Sequence, residues 1–208
     1  MAASLRGKYL HVIIAVIAWV AVALQFYLII LNRTAGIAET IVRFFSYFTI
    51  LTNILVAFVF TILAAGKQTG LYRFFSKPSN ITALTVYIII VGLVYNSILR
   101  WLWKPAGLQL YADEALHSIT PLLVLLYWLI NISFMRFQWK DIINWLIYPF
   151  VYLVYVLIRG AFSNFYPYPF LDVSKIGYGA TLLNCIYVTL VFLFISLLLT
   201  GIGKMRRV

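Results

Sequence analysis

Cysteine occurs once in this sequence, at Cys185, and histidine only twice, at His11 and His117. A single cysteine excludes an internal disulfide and any site built from several thiolates. Acids are scarce as well: five Asp and Glu stand against 16 Lys and Arg in 208 residues, and charged residues total only 10%. A soluble domain carries about 25% charged residues, so this is not the composition of one. No DNA- or RNA-binding motif is present, and the net charge of +11 is spread over separate short segments. No nucleic-acid partner is expected.

What the chain has in abundance is apolar sequence. Hydrophobic residues make up 64% and the mean hydropathy is +1.00. A membrane-spanning helix needs ~20 mostly apolar residues. Six stretches qualify: Leu10–Leu31, Ile41–Ala65, Ile81–Trp103, Leu116–Phe134, Asn144–Ser163 and Ile176–Ile202. The expected fold is all-α: a polytopic membrane protein with six transmembrane helices in one bundle, residues 1–208 forming a single domain. The first stretch is longer than the ~7–15 residues of a signal-peptide core and no small-residue cleavage site follows it, so it counts as a helix.

Basic residues orient the bundle. With the N-terminus cytoplasmic, ten Lys and Arg fall on the inner side and six on the outer, while four of the five acids (Glu39, Asp113, Glu114, Asp172) fall outside. The positive-inside rule therefore predicts both termini cytoplasmic. Attraction to anionic inner-leaflet lipid accounts for the excess charge.

In that topology, polar residues of five helices gather at one depth, in the outer half of the bilayer. They recur at helical spacing: 46, 49 and 53; 96 and 100; 113, 117, 120 and 124; 148, 152, 155 and 159; 177, 181, 184 and 188. Such positions share a face. Polar groups at membrane depth face a bundle interior or a wet cavity because exposure to lipid costs ~2.5 kcal/mol or more per charge. One polar chamber lined by spans two to six and open to the outer leaflet is the economical reading. Each component also has a plainer role. Arg43, Arg100 and Arg159 can snorkel to the interface, Glu114 can pair with Arg100 or Lys104, and Thr49 or Thr52 can bond its own i−4 carbonyl. Asn53 and Asn96 can join helices, and the tyrosines can serve packing. His117 is harder to set aside, because it shares a face with Asp113 and looks toward a threonine-bearing helix.

His11 and His117 fall at opposite surfaces of a core ~30 Å thick, which excludes bis-histidine haem within one chain. No spacing motif supports a metal at His117, Asp113 and Glu114. No cofactor is expected.

Three segments carry a family resemblance: RFFSYFTILTNILVAF in the second span, ADEALHSITPLLVLLYWL in the fourth, and NFYPYPFLDVSKIGYG between the fifth and sixth. In this order they resemble a bacterial family of six-transmembrane membrane proteins, and more remotely the androgen-induced gene family. The latter comprises eukaryotic intramembrane hydrolases of fatty acid esters of hydroxy fatty acids. The resemblance implies a threonine nucleophile at Thr49, following Tyr47-Phe48, and a histidine at His117, opening His117-Ser118-Ile119-Thr120-Pro121. The segment Tyr168-Pro169-Phe170-Leu171-Asp172 matches as well. Two departures stand: the proline lies one residue nearer the histidine, and Thr52 competes with Thr49. The bacterial likeness implies a place in the plasma membrane, with membrane lipids and a fatty-acyl ester as partners.

Such chemistry is physically workable. A histidine activates a hydroxyl near neutral pH, and Asp113 one turn earlier is expected to orient the ring. Asn53, Asn96 or Arg100 would supply oxyanion donors, with Thr52, Arg159 and Asn184 as further polar lining. The alternative is a non-catalytic lipid-binding or scaffold protein, or a small-solute transporter using the same cavity. Against transport stand the absence of an inverted repeat and of a Gly/Pro-broken helix pair.

Overall fold

A computed structural model describes residues 5–102, 104–131 and 138–205. The expected ends of the third and fourth spans, Trp103 and Phe134, and the basic residues Arg136, Arg206 and Arg207 lie outside the described residues. Helix α1 covers Leu5–Leu31, and a short α2, Ile37–Phe44, leads into α3, Phe48–Ala65. Gly66, at φ 65°, ends α3 in the left-handed region that glycine adopts without strain. A short α4, Gly70–Phe75, is capped by the Thr69 side chain, which accepts from the Tyr72 amide.

Helix α5 spans Pro78–Leu102 and α6 spans Leu108–Asn131. Pro78 occupies the first helical position of α5, where its missing amide hydrogen costs nothing. A short α7, Asp141–Trp145, continues into α8, Ile147–Ser163, and α9 runs Val173–Met205 with a bend at Gly177. No strand occurs among the described residues. Six helical stretches are long and apolar enough to cross a membrane, as expected of an integral membrane protein.

The core forms where α3 and α5 are enclosed by α1, α6 and α9: Val56, Phe60, Val86, Ile88, Val124 and Trp128 are fully buried there. Large apolar side chains such as Phe150, Phe162, Leu122 and Ile130 point outward. Water would reject such a surface and lipid would accept it. Buried threonines in α5 return their hydroxyls to the chain, as when Thr85 donates to the Ile81 carbonyl at 2.8 Å.

Three spans differ from their expected form. The second is not one helix, because Phe45–Tyr47 separate α2 from α3. The fourth begins at Leu108 rather than Leu116, which makes Asp113 and Glu114 helical. The fifth begins at Asp141 and bends at Leu146. The cause of that bend is Pro149: it has no amide hydrogen for the Trp145 carbonyl, and the Tyr87 hydroxyl donates to that carbonyl at 2.7 Å instead.

Candidate functional site

The break between α2 and α3 positions Thr49. A helix starts with amides that have no helical acceptor, and here tyrosine hydroxyls fill the role. The Phe48 amide donates to Tyr152 Oη at 3.3 Å, and the Thr49 amide donates to Tyr168 Oη at the same distance. Tyr152 in turn donates to the Ser46 carbonyl at 2.9 Å, while the Tyr155 hydroxyl lies 2.9 Å from Ser46 Oγ. The tyrosine stripe of α8 thus holds the break open. The consequence for Thr49 is electrostatic. Its hydroxyl stands in the first turn of an 18-residue helix, where aligned peptide dipoles favour negative charge.

His117 sits in a turn of π-helix, Ala115–Ile119, inside α6. Its Nδ1 lies 2.9 Å from the Asp113 main-chain oxygen. A carbonyl can only accept, so Nδ1 carries the proton and Nε2 keeps its lone pair. The ring stacks on Tyr95, with centroids 3.9 Å apart and planes 13° from parallel. Tyr95 opens a second π-turn, Tyr95–Leu99, in α5. Such turns recur at functional sites because they widen the helix and re-aim side chains.

Pro121 makes the π-turn affordable. It offers no amide to the carbonyls of His117 and Leu116, four and five residues earlier. Asparagines of two neighbouring helices replace it: Asn53 Nδ2 donates to Leu116 O at 3.2 Å, and Asn96 Nδ2 donates to His117 O at 3.2 Å. Each also donates to its own helix, to Thr49 O and Gly92 O. Gly92 allows the approach, since a Cβ there would stand 3.1 Å from His117 O. Asn53 and Asn96 therefore hold the backbone around His117. This differs from the expectation that they serve as oxyanion donors, and the reason is the pair of carbonyls Pro121 leaves unmet.

The Asp113 carboxylate differs from its expected place as well. Among the described residues no hydrogen bond joins it to the His117 ring. It accepts from Tyr95 Oη at 3.2 Å and from Gln109 Nε2 at 3.0 Å, and Gln109 also donates to Gln25 Oε1 at 2.7 Å. Asp113 acts on the histidine through its main chain and through the stacked Tyr95.

Two cavities meet at Thr49. One, of about 820 Å³, is lined by Gln25, Lys104, Gln109, Asp113 and His117 together with Tyr47, Tyr95 and Pro167, and lies at the end carrying residues 104–106 and 167–169. The other, of about 410 Å³, is almost wholly apolar and lies between α5, α8 and α9, with Ile90, Leu153, Cys185, Val188 and Phe192 on its walls. Its lining includes Ile143, Ile147 and Phe150, which are exposed on the flank of the molecule. Thr49, Leu99 and Tyr168 line both cavities.

The remaining expected residues lie elsewhere. Thr52 is fully buried against Tyr148 Oη at 3.3 Å and lines neither cavity. Arg100 pairs with Glu114 at 2.6 Å, donates to Asn96 Oδ1 and Ser118 Oγ, and lies over the Tyr95 ring. Arg159 and Arg43 both bind Glu39 at 2.8 Å, and Phe165 is flanked by the two guanidinium groups. Glu39's carboxyl is held below its ordinary value by the Arg43 hydrogen bond first and by Arg159 after it. Asn184 donates to Phe170 O at 2.9 Å and fixes the loop before α9. Thr52, Arg100, Arg159 and Asn184 belong to the frame, because none of them lines either cavity and each is already bonded to a partner.

Sequence reasoning passed over Gln25, Gln109 and Tyr95. Gln25 had a readable signal, an amide inside an otherwise apolar helix. His11, the other histidine, is buried far from this site, its Nε2 3.1 Å from Tyr127 Oη. No group of three or more metal-ligating side chains occurs among the described residues. Comparison with protein-family models, curated proteins and solved structures finds no match to this chain.

Proposed function

We propose that this chain is an intramembrane ester hydrolase that uses Thr49 as nucleophile and His117 as general base on a fatty-acyl ester. The observation that carries the reading is the position of the Thr49 hydroxyl. It stands at the positive end of α3, on the wall shared by a polar cavity that holds His117 and an apolar cavity open to the flank. An ester has the same division, with a polar carboxyl group and an apolar chain, so the acyl chain occupies the apolar cavity and water reaches the carbonyl from the polar one.

The steps balance. Thr49 Oγ1 bonds to the acyl carbon while its proton passes to His117 Nε2. The tetrahedral intermediate collapses, and the departing alcohol takes that proton. Water, deprotonated by the same nitrogen, then attacks the acyl carbon, and Thr49 Oγ1 leaves with that proton as the fatty acid is released. The reading includes one six-helix bundle in a bacterial plasma membrane, both termini cytoplasmic, and the polar cavity facing outward. The basic residues of the connecting segments support that orientation.

The experiment is covalent labelling of the purified protein with a lipid fluorophosphonate, the modified residue being mapped by mass spectrometry. Labelling at Thr49 is expected, with loss in Thr49→Ala and His117→Ala and retention in Thr52→Ala. Labelling that survives Thr49→Ala, or none in the wild type, overturns the reading. A lipid-binding role without chemistry, which the apolar cavity favours on its own, gives reversible lipid binding and no label. Solute flux without labelling would support the transport alternative.

A further inference from the structure

Hydrolysis at Thr49 needs a donor for the oxygen that becomes negative, and Asn53, Asn96 and Arg100 are committed elsewhere. One buried hydroxyl at the junction of the cavities has no place in the reaction yet. Tyr168 Oη accepts from the Thr49 amide at 3.3 Å and lies 3.4 Å from Thr49 Oγ1. We propose that Tyr168 is a third catalytic residue, its phenol donating to the oxyanion formed when Thr49 attacks; the inference rests on the hydrolase reading.

The geometry suits the role. An O–H···O bond is ordinarily 2.5–3.0 Å, so the resting contacts of Tyr168 are long and readily exchanged for a charge-assisted bond. Once Thr49 Oγ1 bonds to the acyl carbon, the carbonyl π pair moves to the carbonyl oxygen, two bonds from Oγ1. The phenol donates there and keeps its own proton; the Thr49 amide, in the first turn of α3, is freed to donate beside it. On collapse the pair returns to re-form C=O and the alcohol leaves with the proton held by His117. Burial pushes the Tyr168 phenol above its ordinary value, which keeps it a donor.

The loop is built to hold this side chain still. Pro167 and Pro169 flank Tyr168, and both fix the backbone. The ring stacks on Phe170 with centroids 5.3 Å apart and meets the edge of Tyr47 at 5.9 Å. Asn184 ties the loop to α9 through Phe170 O. A donor fixed before reaction is what oxyanion stabilisation requires.

The test is Tyr168→Phe in the full chain, which keeps the ring and removes only the hydroxyl. The loss expected on removal of one oxyanion donor is ~10²–10³-fold in kcat, with KM within about threefold of wild type. An alkyl trifluoromethyl ketone, which forms a stable oxyanion on the nucleophile, is expected to bind more weakly by the same factor as kcat/KM falls. A merely structural role would not link those two numbers, and neither KM nor the ketone constant depends on the fraction of protein folded. A variant that keeps kcat within about threefold, or loses activity while binding the ketone as tightly as wild type, overturns the inference and leaves the hydrolase reading standing. Wild type that neither hydrolyses nor labels overturns both.

Discussion

The imidazole Nδ1 of His117 is bonded to the main chain of Asp113 at 2.9 Å, while the carboxylate of the same residue turns to Tyr95 and Gln109. Where an acid holds a catalytic histidine directly, replacing it by the amide costs ~10⁴ in kcat through the wrong tautomer. Here the tautomer is set by a carbonyl that mutation leaves in place. On the hydrolase reading, Asp113→Asn is therefore expected to lower kcat for a fatty-acyl ester by less than about tenfold. A loss approaching the full triad value would mean that the carboxylate itself holds the ring.

Pro121 and Asn53 are expected to be energetically coupled. Pro121→Ala supplies an amide hydrogen that can compete for the carbonyls now served by Asn53 and Asn96. Asn53→Ala alone leaves Leu116 O without its partner, a loss of ~1–3 kcal/mol for a buried acceptor. In the Pro121→Ala background the same change should cost less, with a coupling of ~0.5–3 kcal/mol. Thermal unfolding of the four proteins in detergent measures it, and strict additivity would refute the link.

Glu39 ties α2 to α8 through Arg43 and Arg159. Its lowered value means that the bound form releases its proton more readily than the unfolded chain. The contribution is therefore present above the ordinary carboxyl range and is lost as pH falls through the lowered value. The unfolding midpoint of wild type should exceed that of Glu39→Gln at pH 7, and the gap should close in acid. Because Glu39 is 36% exposed, the gap is expected to be small and to shrink with salt. A gap that is constant with pH would show that charge plays no part.

Val188 lies on the wall of the apolar cavity. On the hydrolase reading, Val188→Trp should fill part of it and shorten the acyl chain accepted there. Raised KM for long-chain p-nitrophenyl esters, with short-chain esters little changed, is the expected pattern. Equal effects on all chain lengths would remove the cavity from acyl binding.

Much of the candidate site was legible before any coordinates. Thr49 and His117 stand on helix faces that spacing alone brings toward a shared interior, and both line the larger cavity. Asn53 and Asn96 were legible as polar residues on inward faces, but their partners were not. Those partners are backbone carbonyls left open by Pro121, and a proline's effect on its neighbours' hydrogen bonds can be seen only when the neighbouring helices are in place. The break at Phe45–Tyr47 had no Gly or Pro to announce it. It persists because tyrosines a hundred residues away accept the orphan amides and meet the orphan carbonyl.

By itself the sequence determined six apolar spans, the scarcity of charge between them and the small set of polar residues that lipid would not tolerate. Hydropathy and helical period are local properties, so a one-dimensional reading suffices for them. Which hydroxyl stands at a helix start, which nitrogen of His117 keeps its lone pair and which two cavities share a wall were decided only by the tertiary structure. Each of these depends on hydrogen bonds between residues far apart in the chain, whose geometry exists only once the helices have packed.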